Sequence, residues 1–108
     1  MSKYRASRTL YAGIWYDSKL EARAAQLLDT MRHAENPAER VEWVARQVCF
    51  TAPWGSRHYL DFIAGKADGS ICFIEVKGRD VEPGKEKRKW LQWFLRERIT
   101  VWRKDDLP

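Results

Sequence analysis

Ile71-Cys72-Phe73-Ile74-Glu75-Val76-Lys77-Gly78 is an apolar run that ends in two opposite charges. Its β-branched and aromatic residues predict a buried strand. In a strand the i, i+2 spacing puts Glu75 and Lys77 on one face. Charges at the rim of an apolar strand are costly to hold without partners. A solvated ion pair at a strand end is the plain reading of so short a pattern. Anything more has to come from the rest of the chain.

The preceding stretch, His58-Tyr59-Leu60-Asp61-Phe62-Ile63, sets Asp61 in mid-strand among large apolar residues, where aspartate is disfavoured. By alternation Tyr59, Asp61 and Ile63 share one face, as do Ile71, Phe73, Glu75 and Lys77. Lys66-Ala67-Asp68-Gly69-Ser70 joins the two strands. A three-residue loop, Ala67-Asp68-Gly69 with Gly69 left-handed, puts Asp61 opposite Glu75. A two-residue Asp68-Gly69 turn puts Asp61 opposite Val76 and sends the two carboxylates to opposite faces.

The first register gathers two carboxylates and an ammonium at one strand pair. Adjacent carboxylates repel, and a hard divalent cation with oxygen ligands, Mg²⁺ or Mn²⁺, resolves the conflict. Lys77 would then orient or help deprotonate a water, or neutralise charge developing on a phosphate. Metal, lysine and basic surroundings together suit phosphodiester hydrolysis. His58 is a further candidate, although a single histidine beside a turn is more often structural or exposed.

Working outward, residues 1–9 read as a basic arm, and Tyr11 to Tyr16, around Gly13, as a short strand or hairpin. Ser18-Lys19-Leu20-Glu21 fits a capping box opening a helix, with Ser18 as N-cap. Leu20, Ala24, Leu27, Leu28 and Met31 recur at helical spacing, and Glu21 falls on the edge of their arc. Asn36-Pro37 closes this helix or follows it closely. Residues 38–46 are read as extended or as a short helical turn, and Gln47 to Thr51 as a strand. With His58–Ala64 and Ile71–Lys77 this forms an antiparallel meander. Pro83-Gly84 precedes a second helix, Lys85 to Arg98, whose Trp90, Leu91, Trp93, Phe94 and Leu95 make a wide apolar face. The helix dipole disfavours lysines in its first turn unless an anion arrives there; a solvated charged turn is the plain alternative. Ile99 to Trp102 is the last strand, before a charged tail.

A chain of 108 residues with no linker or repeat is one domain, 1–108. Its 44% apolar and 32% charged content excludes disorder. No run is long enough to span a membrane and no signal-peptide core opens the chain, so a soluble, cytoplasmic protein is expected. Cys49 and Cys72 sit in strand-like contexts and are expected to be buried free thiols. The six tryptophans supply buried area and material for an interface. The net charge of +5 points to a polyanionic partner, nucleic acid before acidic membrane, and no small-molecule cofactor is implied.

A helix Glu, then Asp on one strand, then Glu-x-Lys on the next, in the order αβββαβ, resembles the PD-(D/E)XK nuclease superfamily. Ile14-Trp15-Tyr16-Asp17-Ser18-Lys19-Leu20-Glu21-Ala22-Arg23, with Tyr59-Leu60-Asp61-Phe62 and Glu75-Val76-Lys77-Gly78, is similar to small phage-type endonucleases of that superfamily. Their relatives include a phage junction-resolving endonuclease and DNA-cutting transposition nucleases. The likeness runs from about Tyr11 to Thr100. It implies a restriction-endonuclease-like α/β (α+β) core, a central mixed sheet flanked by helices. It also implies that Asp61, Glu75 and the Val76 carbonyl ligate Mg²⁺ or Mn²⁺, and that Lys77 is the catalytic lysine. Glu21 would bind a second metal or a metal-bound water. Leu60, where many members have proline, is a departure.

The activity so implied is metal-dependent DNA endonuclease, selective for branched DNA or Holliday junctions in phage-type recombination and acting as a homodimer. Lys3, Arg5, Arg8, Lys19, Lys85, Lys87, Arg88 and Lys89 are the expected contacts to the DNA backbone. Alternatives are a duplex nickase, a nuclease subunit of a larger complex, and a non-catalytic DNA-binding module on the same fold.

Overall fold

A computed structural model of the protein describes residues 7–78 and 82–108. Thr9–Tyr11 (β1) and Ile14–Tyr16 (β2) form a hairpin. Its two turn residues, Ala12 and Gly13, both have positive φ, as a two-residue turn matched to strand twist requires. Helix α1 follows, Lys19–Met31. Ser18 caps it, its hydroxyl accepting from the Glu21 N–H at 3.1 Å, as the Ser-x-x-Glu spacing predicts.

Val41–Thr51 (β3), Arg57–Lys66 (β4), Ile71–Val76 (β5) and Ile99–Trp102 (β6) make one mixed sheet in the order β3-β4-β5-β6. The first three form the expected antiparallel meander, and β6 runs parallel to β5. Helix α2, Glu82–Leu95, makes the crossover between those parallel strands. The result is a compact α+β fold in which helices cover a four-stranded sheet. Among the described residues no helix is long and apolar enough to cross a membrane.

The core follows the strand alternation. Phe62, Ala64 and Ile74 pack with Ala22, Ala24, Ala25 and Leu28 of α1. Ile63 and Phe73, of opposite parity, pack with Leu91 and Leu95 of α2. Burying each large side chain contributes about 1.5–3 kcal/mol of transfer free energy. Leu60 breaks the alternation: it shares parity with Phe62 yet packs with Leu91 and Ile99. The irregularity coincides with Gln47 on β3, which has φ 51 between the pairs Arg46↔Phe62 and Val48↔Leu60.

The β4–β5 register settles which loop joins them. Phe62 pairs with Ile74, Ile63 with Phe73 and Ala64 with Cys72. Continued one step, that register would set Asp61 opposite Glu75, and the paired residues end just before it. The Lys66 N–H donates to the Ser70 carbonyl at 2.8 Å around Ala67-Asp68-Gly69, and Gly69 has φ 90. The two-residue turn is excluded.

Other boundaries differ from the sequence reading. β3 extends from Val41, so the ambiguous residues from 41 onward are strand. α2 begins and ends three residues early. A proline in a first turn loses no helical hydrogen bond, because that N–H has no partner anyway. At the other end Arg96 turns left-handed, with φ 56. Cys49 and Cys72 are free, but Cys49 is exposed rather than buried because it lies on the edge strand. The tail forms a short 3₁₀ turn, Lys104–Asp106, and buries Leu107. Arg23, on the outer side of α1, donates to the Pro108 oxygen at 2.6 Å and to the Leu107 carbonyl at 3.0 Å.

Gly69 is the residue on which the register turns. A β-branched side chain at a positive φ is strained by about 1–3 kcal/mol. Gly69→Val is therefore expected to lower stability by that amount in urea unfolding, whereas Asp68→Ala, which loses only exposed hydrogen bonds to Ser70, lowers it by less than about 1 kcal/mol.

Candidate functional site

Glu75 is the most unusual residue of the fold. It lies at the end of β5 with a side chain only 2% exposed. A buried carboxylate has to be paired. Its Oε2 accepts from Arg88 Nη1 at 2.8 Å, and its Oε1 lies 3.5 Å from His58 Nε2 and 3.6 Å from Lys77 Nζ. Arg88 belongs to α2, His58 to β4 and Lys77 follows β5, so one carboxylate joins three parts of the chain. Lys77 is itself fixed by its backbone, whose N–H donates to the Trp102 carbonyl of β6 at 3.0 Å.

Asp61 acts on the backbone instead. Its Oδ2 accepts from the Val76 N–H at 2.7 Å, and its Oδ1 receives a long bond from Gln47 Nε2 at 3.4 Å. The paired residues of β4 and β5 stop at Phe62 and Ile74, and beyond them the Asp61 side chain takes a strand N–H. Burial raises the Asp61 pKa, the Val76 N–H lowers it, and the Glu75 charge raises it again.

Glu21 arrives from the first turn of α1. Its Oε2 is buried without a hydrogen-bond partner. Burial, helped by the charges of Asp61 and Asp17 and opposed by Arg46, raises its pKa from 4.5 to about 7. His58 is 6% exposed, and its Nε2 finds no partner within hydrogen-bonding distance. The 3.5 Å approach to Glu75 is an ion pair only for a protonated ring. Burial lowers the His58 pKa more than Glu75 raises it, and Lys77, Lys87 and Arg88 lower it further. We therefore take the ring as neutral at pH 7.

Glu21, His58, Asp61, Glu75, Val76 and Lys77, together with Tyr59 and Lys87, line a single open pocket of about 320 Å³. All four residues expected to be catalytic are thus brought together. The expected DNA contacts divide. Lys3 and Arg5 lie outside the described residues. Arg8 is exposed and stacks on Trp15 with its guanidinium 5.3 Å from the ring centre. Lys19 is exposed at the start of α1. Lys87 and Lys89 are exposed and Lys85 half-buried along α2, with Lys89 3.9 Å from Glu86. Arg88 differs from these, since its side chain is only 14% exposed and turns inward to Glu75. A signal for this exists in the sequence: Arg88 stands three and seven residues before Leu91 and Leu95, on the apolar face of α2. Gln47, the partner of Asp61, carries no such signal.

Among the described residues no three His, Cys, Asp or Glu side chains are gathered closely enough to hold a metal ion as they stand. The donor set nevertheless fits a hard divalent cation. Three carboxylates ring one pocket, one buried oxygen has no partner, and two of the acids hold protons above their ordinary range. Glu75 could offer Oε1 to such a cation while Oε2 stays on Arg88. No protein-family model, no curated protein and no solved structure matches the chain.

The Glu21 shift has a consequence for stability. Its folded pKa lies above its ordinary value, so the metal-free folded state holds the proton more tightly than the unfolded chain does. The stability this contributes is full below about pH 4.5 and is lost as pH rises through about 7. Glu21→Gln removes that loss. At about pH 8 the variant is expected to exceed the parent by about 1–2 kcal/mol, since solvent screening at this partly exposed group leaves only part of the shift, and near pH 4.5 the two converge. Urea unfolding across that range checks it; a difference that does not change with pH would show that Glu21 holds no shifted proton.

Proposed function

We propose that the chain is a metal-dependent DNA endonuclease of the restriction-endonuclease-like kind, selective for branched DNA and acting as a homodimer. The observation that carries the reading is the one pocket lined by Glu21, Asp61, Glu75 and Lys77. Those residues come from α1, β4 and the end of β5, in the order that the resemblance to PD-(D/E)XK nucleases implies.

Asp61, Glu75 and the Val76 carbonyl would hold Mg²⁺ or Mn²⁺, with Glu21 at the edge. A cation there supplies Lewis-acid stabilisation of negative charge on the scissile phosphate. Lys77 stands beside Glu75 with its ammonium partly exposed to the pocket. From that position it orients the attacking water and neutralises charge building on the phosphate. Neutral His58 is a second group able to take a proton at Nε2. Exposed Lys87 and Lys89 bring the DNA backbone to the pocket mouth, and the net charge of +5 draws the polyanion in. A two-fold partner suits the β1–β2 hairpin, where Leu10, Ile14 and Trp15 are 54%, 40% and 54% exposed.

One observation favours a second reading, a DNA-binding module without catalysis. Arg88 and Lys77 already satisfy the Glu75 charge, so the site can be neutral with no metal. The two readings part on the response to Mg²⁺. For the nuclease, a four-way junction is cut faster than linear duplex, only with Mg²⁺, and Lys77→Ala lowers the rate by at least about a hundredfold. Absence of any Mg²⁺-dependent cutting by the wild type, or undiminished cutting by Lys77→Ala, refutes the nuclease.

A further inference from the structure

A second pocket adjoins the first. It measures about 180 Å³ and shares His58 and Lys87 with the carboxylate pocket. Its walls are aromatic. Trp54, from the turn between β3 and β4, meets Trp90 of α2 edge to face, with ring centres 5.5 Å apart. Trp90 in turn stacks on Phe94 at 5.6 Å and 16°. Trp54 is 67% exposed, which is much for an indole that serves only the core. Its ring is nonetheless held in place, because Nε1 donates to Ser56 Oγ at 3.0 Å. The Trp90 Nε1–H is buried with no hydrogen-bond partner. Arg57 and Lys87 line the pocket, and among the described residues Glu86 is the one acidic group there.

Burial of the fold does not account for an exposed, oriented indole beside two cations. An aromatic face flanked by arginine and lysine is the arrangement that binds unpaired nucleotides: the bases stack and the phosphates meet the cations. Paired bases in a duplex are stacked on each other and present no free face. An apolar protein segment would gain nothing from Arg57 and Lys87. The pocket also shares His58 and Lys87 with the carboxylate pocket, so a nucleotide seated in it has its backbone near the rim of the candidate active site.

We infer that the Trp54–Trp90 pocket seats an unpaired base, next to the phosphate that lies in the carboxylate pocket. The inference rests on the nuclease reading only for what that neighbouring phosphate undergoes; the stacking itself needs no metal and no cleavage. It narrows the substrate class to DNA with unpaired nucleotides, such as a flap or an opened branch point.

The test is binding of the full chain, in EDTA, to two oligonucleotides. One is a duplex with a single-stranded flap that carries 2-aminopurine in its unpaired part, and the other is the same sequence fully paired. Trp54 stacking is expected to quench the 2-aminopurine fluorescence on the flap substrate. Trp54→Ala should weaken flap binding on the order of tenfold and leave duplex binding within about twofold. Trp54→Phe, which keeps a stacking face, should restore most of the loss. Equal weakening on both substrates, no weakening on either, or a Trp54→Phe variant as poor as Trp54→Ala overturns the inference. Circular dichroism confirms that the variants fold. Cleavage is scored separately, with Mg²⁺. Stacking without cutting sinks the nuclease alone, and cutting without stacking sinks this pocket alone.

Discussion

A carboxylate buried at the end of a strand cannot be left alone, and the fold around Glu75 is arranged to answer it. Arg88 comes from α2, His58 from β4, and Lys77 is held over the site by β6. Removing one partner from a buried, hydrogen-bonded charge typically costs about 3–5 kcal/mol, because the remaining charge stays in the low-dielectric interior. The pairing of Arg88 with Glu75, together with Leu91 and Leu95 on the sheet, therefore decides how α2 sits.

The same carboxylate is also asked to do chemistry under the proposed reading, and the two demands oppose one another. A structural Glu75 keeps both oxygens on cations of the protein. A ligating Glu75 gives at least one to a metal. The geometry accommodates both, since Arg88 takes Oε2 while Oε1 meets only the longer contacts at 3.5 and 3.6 Å. Asp61 shows a comparable division, with Oδ2 committed to the Val76 N–H and Oδ1 holding only a weak bond from Gln47. Each of the two strand carboxylates thus has one oxygen secured by the fold and one held loosely.

Much of this was legible in the residues because it is local. The Ser18 cap, the alternation along β4 and β5, and the left-handed Gly69 are each set by a few neighbours, and the register that pairs Phe62 with Ile74 follows from them. What escaped the sequence is what distant segments decide. Arg88 looks like one more member of a basic cluster until α2 is laid on the sheet. His58 looks like a turn residue until β4 and α2 close over it. Cys49 looks buried until the strand order makes β3 an edge. The helix limits moved because a terminal turn is held by few interactions, and packing outweighs propensity there. The specific superfamily core stays a reading of motif order and pocket composition.

The left-handed backbone at Gln47 has a consequence beyond the site. β3 is a long strand with one side unpaired, and such an edge is a template on which another chain can build. Gln47 divides it into two shorter segments that cannot both present a straight row of amides. Exposed Glu42 and Arg46 charge the first segment. The irregularity at Gln47 thereby discourages aggregation along the open margin of the sheet.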